Sequence, residues 1–516
     1  MNIPNSGQSN VNSSPNTNCN LPAVPANGTT IQPLMNADQI FPAELAVINS
    51  AKPGGSIYMS QYTLPTPTDG PSVGTPASNA QRDILSAIAK QIKNHVNVYV
   101  VADNEAQKNG GTRNSAAIQW LKQQGAYILP YPAQYVTINH TKFIGSSSGY
   151  AVVTSANESP HMADSPDNNT GFLFAGAAAH NGIVQAFLPQ WNFSAQQDPT
   201  DASNYPTPTI NNKLIPDSKV TWLNTAPAAE TGAAQDQTQI KQAYMNLIQK
   251  AAHAPLNPDG TKPYLYLEQW DLSDSDLTNA LIQAKQTNPN LDIKVIIDPD
   301  QYLWGEQHPQ TNGQPSDIVS SYNTLTQAGI QVRFANLNPH PPGPEGKWPQ
   351  IFHDKWIEFN GQEVINGSGN FSWDSMEGND GKKHNREVDV DVVDANAAQA
   401  YTQKFLNDWS NNSSSDPNAA SQGGNAQSAN QAYNPGNRVS NGLEEMGGHS
   451  DNGYFPRFHT YLNTVGQLFP SETAPVSSPS SISLSQFPSV WSKWNSKDMK
   501  FTNDPVLNSS RFKFPF

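Results

Sequence analysis

The chain has one cysteine, Cys19, in 516 residues, so no disulfide can form within it. Charge is also scarce: Asp, Glu, Lys and Arg together make up 14% of residues, against roughly a quarter in an ordinary domain. Only 29 residues are Lys or Arg, against 43 Asp or Glu, for a net charge of -14. Non-specific nucleic-acid binding needs clustered cations, so this balance counts against a nucleic-acid partner. No apolar run approaches the roughly 18 residues of a membrane-spanning helix, and no transmembrane segment is expected. The start of the sequence lacks the basic and apolar regions of a signal peptide. Hydrophobic residues reach 36%, and Asn, Gln, Ser, Thr and Pro fill the deficit. Such a polar, weakly charged surface is expected of a secreted or exported protein, with the cytoplasm as the alternative. Outside two motifs the histidines are scattered, so neither a metal nor another cofactor is expected.

Against these shortages stand two short stretches that copy one another. His140-Thr141-Lys142-Phe143-Ile144 is followed by Thr154-Ser155-Ala156-Asn157-Glu158-Ser159. His353-Asp354-Lys355-Trp356-Ile357 is followed by Gly367-Ser368-Gly369-Asn370-Phe371-Ser372. A constant offset of 213 aligns His140 with His353, Lys142 with Lys355, Ile144 with Ile357, Ser155 with Ser368, Asn157 with Asn370 and Ser159 with Ser372. Residues two apart on a strand share a face, so His and Lys of each H-x-K point together, beside a Ser and an Asn from the next turn. This combines a nucleophile or acid–base group with donors suited to a phosphate.

The order of elements around each motif repeats as well. Periodicity predicts a helix over Phe41–Ile48, a strand over Ser56–Tyr62, a loop over 64–78 and a helix over Ile84–Ile92. A strand over Val96–Val101, a helix over Ala116–Gln124 closed by Gly125, and a strand over Tyr127–Leu129 follow. The second series has helices over Ile240–Ala252, Leu277–Ala284 and Ile318–Ala328, interleaved with strands over Tyr264–Trp270, Ile293–Asp298 and Val332–Phe334. An apolar helix comes after each motif, near Ile183–Trp191 and Ala397–Trp409. The expected organisation is an extended or disordered head (1–35), a first α/β domain (36–200), a linker (201–235), a second α/β domain (236–410), a low-complexity linker (411–440) and an aromatic appendage (441–516) draped on the core.

The paired motif resembles that of the phospholipase D superfamily, whose HxKxxxxD signature occurs twice in monomeric members, each time followed by GSxN and a later N-x-E. Asn385-Arg386-Glu387 is the N-x-E of the second copy and runs into the alternating Val388-Asp389-Val390-Asp391-Val392. The resemblance implies two similar mixed-sheet α/β domains about a pseudo-twofold axis, with the H-x-K strands meeting between them. It implies a metal-independent phosphodiesterase acting on glycerophospholipids, by hydrolysis or transphosphatidylation. One His becomes a phosphohistidine and the other protonates the leaving alcohol. The catalytic set is then His140, His353, Lys142, Lys355 and Glu387, with Asn157, Asn370, Ser155 and Ser368 binding substrate. The partner is a phospholipid or other phosphodiester, and peripheral membrane contact is compatible with it.

Two departures matter. The Asp that closes HxKxxxxD is Ser147 in the first copy and Asn360 in the second; in the family it is read as structural. The first copy also lacks the acidic residue of N-x-E, because aligning Asn169-Thr170-Gly171 with Asn385-Arg386-Glu387 puts Gly171 at that position. Asp164 and Asp167 are the candidate substitutes. If the carboxylate reaches across the pseudo-twofold axis, as in monomeric relatives, Glu387 serves His140, which makes His140 the nucleophile and His353 the acid. Two other readings stay open: a nuclease of the same superfamily, and a non-catalytic binding or structural protein with an eroded site. Trp304, Trp348, Trp356 and Trp373 either line a lipid-facing mouth or pack in core and loops.

Overall fold

In the computed structural model of the chain, residues 19–65, 76–103, 114–159, 162, 168–310, 313–337, 351–377 and 383–421 are described. The appendage expected at 441–516 lies outside them, as do Trp348, Asp164 and Asp167.

The first half builds seven strands: β1 Thr29–Leu34, β2 Ser56–Gln61, β3 Asn97–Ala102, β4 Tyr127–Pro130, β5 Lys142–Ser146, β6 Tyr150–Thr154 and β7 Gly171–Gly176. They lie in the order β1-β7-β6-β5-β2-β3-β4. The second half builds β8 Val220–Ala226, β9 Gln237–Thr238, β10 Tyr264–Gln269, β11 Asp292–Ile297, β12 Gln331–Ala335, β13 Lys355–Phe359, β14 Glu363–Gly367, β15 Glu387–Val392 and β16 Ser413–Ser414. Their order is β16-β12-β11-β10-β13-β14-β15-β8-β9. Without β9 and β16, this is the first sheet again, strand for strand. In each half the strands carrying the β-α-β-α-β run pair in parallel (β2–β3–β4, β10–β11–β12), and the motif strand joins them antiparallel (β5 on β2, β13 on β10). The architecture is therefore two mixed α/β sheets of one topology.

Three strands lie in stretches read as head or linker; the shortest, β16, falls in the expected low-complexity linker (411–440) and pairs with β12. β1 falls in the stretch read as an extended head, and pairs antiparallel with β7 from Thr29–Gly176 to Leu34–Gly171. β8 falls in the stretch read as a linker, and pairs with β15 from Val220–Val392 to Thr225–Glu387. β1 and β8 are equivalent: each half opens with a strand that returns to its last strand. The sequence hid β1 because Pro33 interrupts Thr-Thr-Ile-Gln-Pro-Leu, a residue tolerated only where no ladder N–H is required. Val-Thr-Trp-Leu-Asn was the legible signal for β8. Cys19 is also part of the folded body: it is half-buried against the first-half core.

Apolar side chains explain how the halves join. Tyr58, Tyr99, Phe143, Phe172 and Trp191 of the first half share one buried cluster with Tyr266, Trp356, Val388, Tyr401 and Phe405 of the second. The helices that follow the motifs, Leu188–Gln197 and Ala395–Asn411, place Trp191 and Phe405 in this layer. Each half keeps a further core of its own on the outer side. Trp356 and Trp304 are buried, and Trp304 stacks on His308, so both pack rather than line a mouth. No described helix is long and apolar enough to cross a membrane.

Candidate active site

Each H-x-K begins its strand at the lysine, and the segment before it crosses to the other half. The His140 N–H donates to the Arg386 carbonyl (2.9 Å), and the His353 N–H donates to the Asn168 carbonyl (3.0 Å). Single parallel bridges, Asn139 with Arg386 and Asn168 with Phe352, extend the same contact. From behind, the Asn139 N–H donates to Asp103 (2.6 Å) and the Phe352 N–H to Asp298 (2.9 Å). These aspartates directly follow β3 and β11, so the third strand of each half fixes its motif. His140, Lys142, His353 and Lys355 are all fully buried.

An aromatic ring backs each pair. Tyr62 meets His140 edge-on at 5.2 Å and lies 5.5 Å from the Lys142 ammonium. Trp270 lies 5.7 Å from His353 and 5.4 Å from the Lys355 ammonium. Both lysines also donate to the carbonyl of their own histidine, at 2.9 Å for Lys142 and 3.0 Å for Lys355.

The second contact of each histidine separates the halves chemically. Glu387 reaches across, with its two oxygens 2.9 and 3.0 Å from His140 Nδ1. Ser368 Oγ (2.6 Å) and Ser375 Oγ (2.8 Å) donate to the same carboxylate. On the other side, His353 Nδ1 lies 2.8 Å from Asn169 Oδ1, which also accepts from Ser155 Oγ at 3.1 Å. An amide oxygen accepts only, so Nδ1 of His353 carries the proton. The lone pair on Nε2 then meets the Lys355 ammonium at 2.7 Å.

Asn169, not Gly171, is thus the counterpart of Glu387. The matching backbone bonds confirm the register: Ser155 N–H to Thr170 O and Ser368 N–H to Val388 O, with Thr170 N–H to Ser155 Oγ and Val388 N–H to Ser368 Oγ. The loop after the motif is five residues longer in the second half, which an ungapped alignment cannot show. Ser155 and Ser368 are also reassigned. Expected to bind substrate, they instead hold the residue that holds each histidine, as supporting hydroxyls do in hydrogen-bonded His sites. Asn157 and Asn370 are buried, and their Oδ1 atoms accept no hydrogen bond among the described residues. Arg386 is committed elsewhere, in a two-pronged pair with Glu230 (2.9 Å at both nitrogens).

Electrostatics follow the same division. Burial pushes the Glu387 carboxyl up, but the charge and hydrogen bond of His140, the Lys142 charge and the Ser368 hydroxyl hold it below its ordinary value. Glu387 is therefore a carboxylate at neutral pH and accepts from the Nδ1–H of His140. His353 faces a neutral amide instead. Its support is charged one step back: Asp354 accepts from Thr170 Oγ1 (2.8 Å) and from Lys404 (2.8 Å), which also pairs with Glu268 and Asp408. Ser147 and Asn360 sit at the far ends of β5 and β13, where Ser147 accepts from Ser56 N–H and Asn360 donates to Asn257. Both close turns away from the histidines. No group of three or more His, Cys, Asp or Glu among the described residues is arranged to hold a metal ion.

Residues 247–409 match the family model described as "cardiolipin synthase, PLD-like domain". The second half of the chain thus carries a phospholipase D-like domain. No curated protein matches the sequence. Among solved structures, phosphatidylserine synthase of Haemophilus influenzae Rd KW20 is similar over 75% of this chain and 87% of its own, at 12% identity and a TM-score of 0.48. The phospholipase D family member Nuc of Salmonella typhimurium matches over 37% of this chain and 95% of its own, at 18% identity and a TM-score of 0.25. Yeast tyrosyl-DNA phosphodiesterase matches over 71% and 90%, at 11% identity and a TM-score of 0.36. The superfamily is one of phosphodiester-acting enzymes.

Proposed function

We propose that this phospholipase D-superfamily protein is a phosphodiesterase acting on glycerophospholipids through a phosphohistidine, with water or an alcohol as acceptor. The observation that carries the reading is the crossed pairing of His140 with Glu387. A carboxylate on Nδ1–H fixes the tautomer in which Nε2 attacks, and it makes that nitrogen more basic. His140 Nε2 forms a bond to phosphorus as the bond to the leaving oxygen breaks. His353 Nε2, protonated in the substrate complex, gives its proton to that oxygen. Water or an alcohol then loses a proton to His353 and attacks phosphorus. The P–N bond breaks and His140 is restored.

Lys142 and Lys355 supply positive charge as the phosphorane forms, and Asn157 and Asn370 supply amide donors. At rest Lys355 donates to His353 Nε2. A phosphate oxygen that draws the ammonium away allows this nitrogen to take a proton, so substrate binding arms the acid. A lipid substrate is favoured over a nucleic acid by the net charge of -14 and by the family whose model the second half matches.

The test is incubation of purified protein with mixed phospholipids in EDTA, following phosphatidate and free headgroup by mass spectrometry. Both products should accumulate. Cleavage of an oligonucleotide with intact lipids would select the nuclease reading. No product from either, and no trapped phosphohistidine, would leave a binding or structural protein.

A further inference from the structure

The loop that carries Ser368 and Asn370 is supported differently from its counterpart. In the first half the Ala156 N–H donates to Thr154 Oγ1 at 3.0 Å. The equivalent donor in the second half is the Gly369 N–H, and it finds Asp389 Oδ1 at 2.9 Å. Thr154 corresponds to Gly367, and Asp389 to Gly171, so the two positions have exchanged bulk. A Cβ on Gly171 would sit 2.9 Å from the Thr154 Cβ, and a Cβ on Gly367 would sit 2.4 Å from Asp389 Oδ1. The Asp389 carboxyl therefore fills the space that glycine leaves at 367, and it lies 3.2 Å from where a Cβ on Gly369 would be. The same backbone N–H is held by a neutral hydroxyl in one half and by an ionisable carboxyl in the other.

We propose that Asp389 is a positioning residue that, in its protonated form, shapes the Gly367–Asn370 loop to receive an anionic phosphodiester, and that its ionisation closes the site to that anion. This rests on the phosphodiesterase reading above. Asp389 is fully buried, and its Oδ2 accepts no hydrogen bond among the described residues. Glu387 lies on the same face of β15, Lys355 faces it from β13, and Tyr244 faces it from the helix Gln239–Ala252. Burial, and then the Glu387 charge, push the carboxyl up to about 8 against the pull of the Gly369 and Ser368 N–H groups and Lys355. In its protonated form it adds no charge beside Glu387. Ionised, it puts a second anion under the loop, where Coulomb repulsion acts on the substrate phosphate in a low-dielectric setting.

Two measurements test this separately from the activity. Binding of inorganic phosphate by calorimetry should weaken about fivefold from pH 8 to pH 9 in the native protein, one proton per site, and much less in Asp389→Asn. The amide keeps the acceptor for Gly369 and cannot ionise. With bis-p-nitrophenyl phosphate, KM of the native protein should rise over the same interval while kcat changes little; Asp389→Asn should remove the rise, and Asp389→Ala should lower kcat at every pH. An alkaline rise unchanged in Asp389→Asn, or no phosphate binding at any pH, overturns the proposal. Phosphate binding with the expected pH dependence but no turnover of any phosphodiester would overturn the enzymatic reading alone.

Discussion

The two halves share a backbone plan and divide its charges unequally. Where the second half has Glu387 the first has Asn169, and where the second has Asp389 the first has Gly171. On the helix after the motif, Lys404 binds Glu268, Asp354 and Asp408; at the equivalent place Gln190 binds Ser60 (2.7 Å). The exchange also runs the other way. Tyr244 and Phe371 pack edge-on at 5.7 Å in the second half, and their counterparts in the first are two buried carboxyls, Glu44 and Glu158. A duplicated fold supplies symmetric positions for two histidines. On the proposed mechanism one histidine is the nucleophile and the other the acid, and the unequal side chains around the two positions suit that division while the strands stay alike.

The largest effect should come from removing the nucleophile. His140→Ala should cut turnover of every substrate by about 10⁴-fold or more. His353→Ala should lose as much with lipid substrates and retain turnover with p-nitrophenyl esters, whose leaving group needs no proton. Trapping the intermediate and mapping the labelled peptide reads the assignment directly: phosphate on the His353 peptide reverses it.

The next contrast is in stability. Lys404 is a buried cation among three carboxylates, so Lys404→Gln, which copies the first half, should cost about 3–5 kcal/mol by stranding buried charge. Gln190→Ala removes only neutral hydrogen bonds and should cost about 1 kcal/mol. Urea unfolding of both variants checks this, and equal losses would show that the charged network does no more than the neutral one.

How much of this was readable in the sequence follows from what was periodic. The 213-residue offset located both H-x-K pairs, and alternation located the strands that carry them. Three features escaped. β1 and β8 were masked by a proline and by polar surroundings. Asn169 was displaced by a five-residue difference in loop length, which becomes visible only when the Ser155 and Ser368 bonds set the register. Glu44, Asp389 and Lys404 gave no local sign, because a carboxyl or ammonium in an amphipathic run reads as solvent-facing until the fold buries it.

The acid pair makes a third test. Burial pushes Glu158 up to about 7; burial and then the Glu158 charge raise Glu44 well above its ordinary value. A carboxyl with a raised folded-state pKa contributes stability that is fully present below its unfolded value, 4.5 for Glu158, and lost as pH rises through the folded value. Thermal melts should therefore show a fall in stability on the order of 2–3 kcal/mol between pH 5 and 8. Glu44→Tyr combined with Glu158→Phe, which copies the second half, should flatten it. A native curve already flat over this interval would mean that the pair is not buried as described.

The smallest effect should come from restoring the missing acid. In Asn169→Asp the Oδ1 that accepts from His353 Nδ1 and from Ser155 Oγ is kept, so the ring orientation is preserved. The amide nitrogen that points toward Met162 Sδ at 3.7 Å is replaced by an oxygen, a modest loss in a buried site. His353 would then face a carboxylate, as His140 does, and become more basic by roughly one pKa unit, about 1.4 kcal/mol. The alkaline limb of kcat/KM, set by the group that must be protonated, should move up by a comparable amount, and turnover of substrates with poor leaving groups should change by only a few-fold. The informative readout is the trapped intermediate. With both histidines carboxylate-backed, some label should appear on the peptide containing His353, where the proposed mechanism puts it on the His140 peptide alone in the native protein. Label confined to His140 together with an unmoved alkaline limb would mean that Asn169 is not what separates nucleophile from acid, and that the Lys404 network sets the division instead.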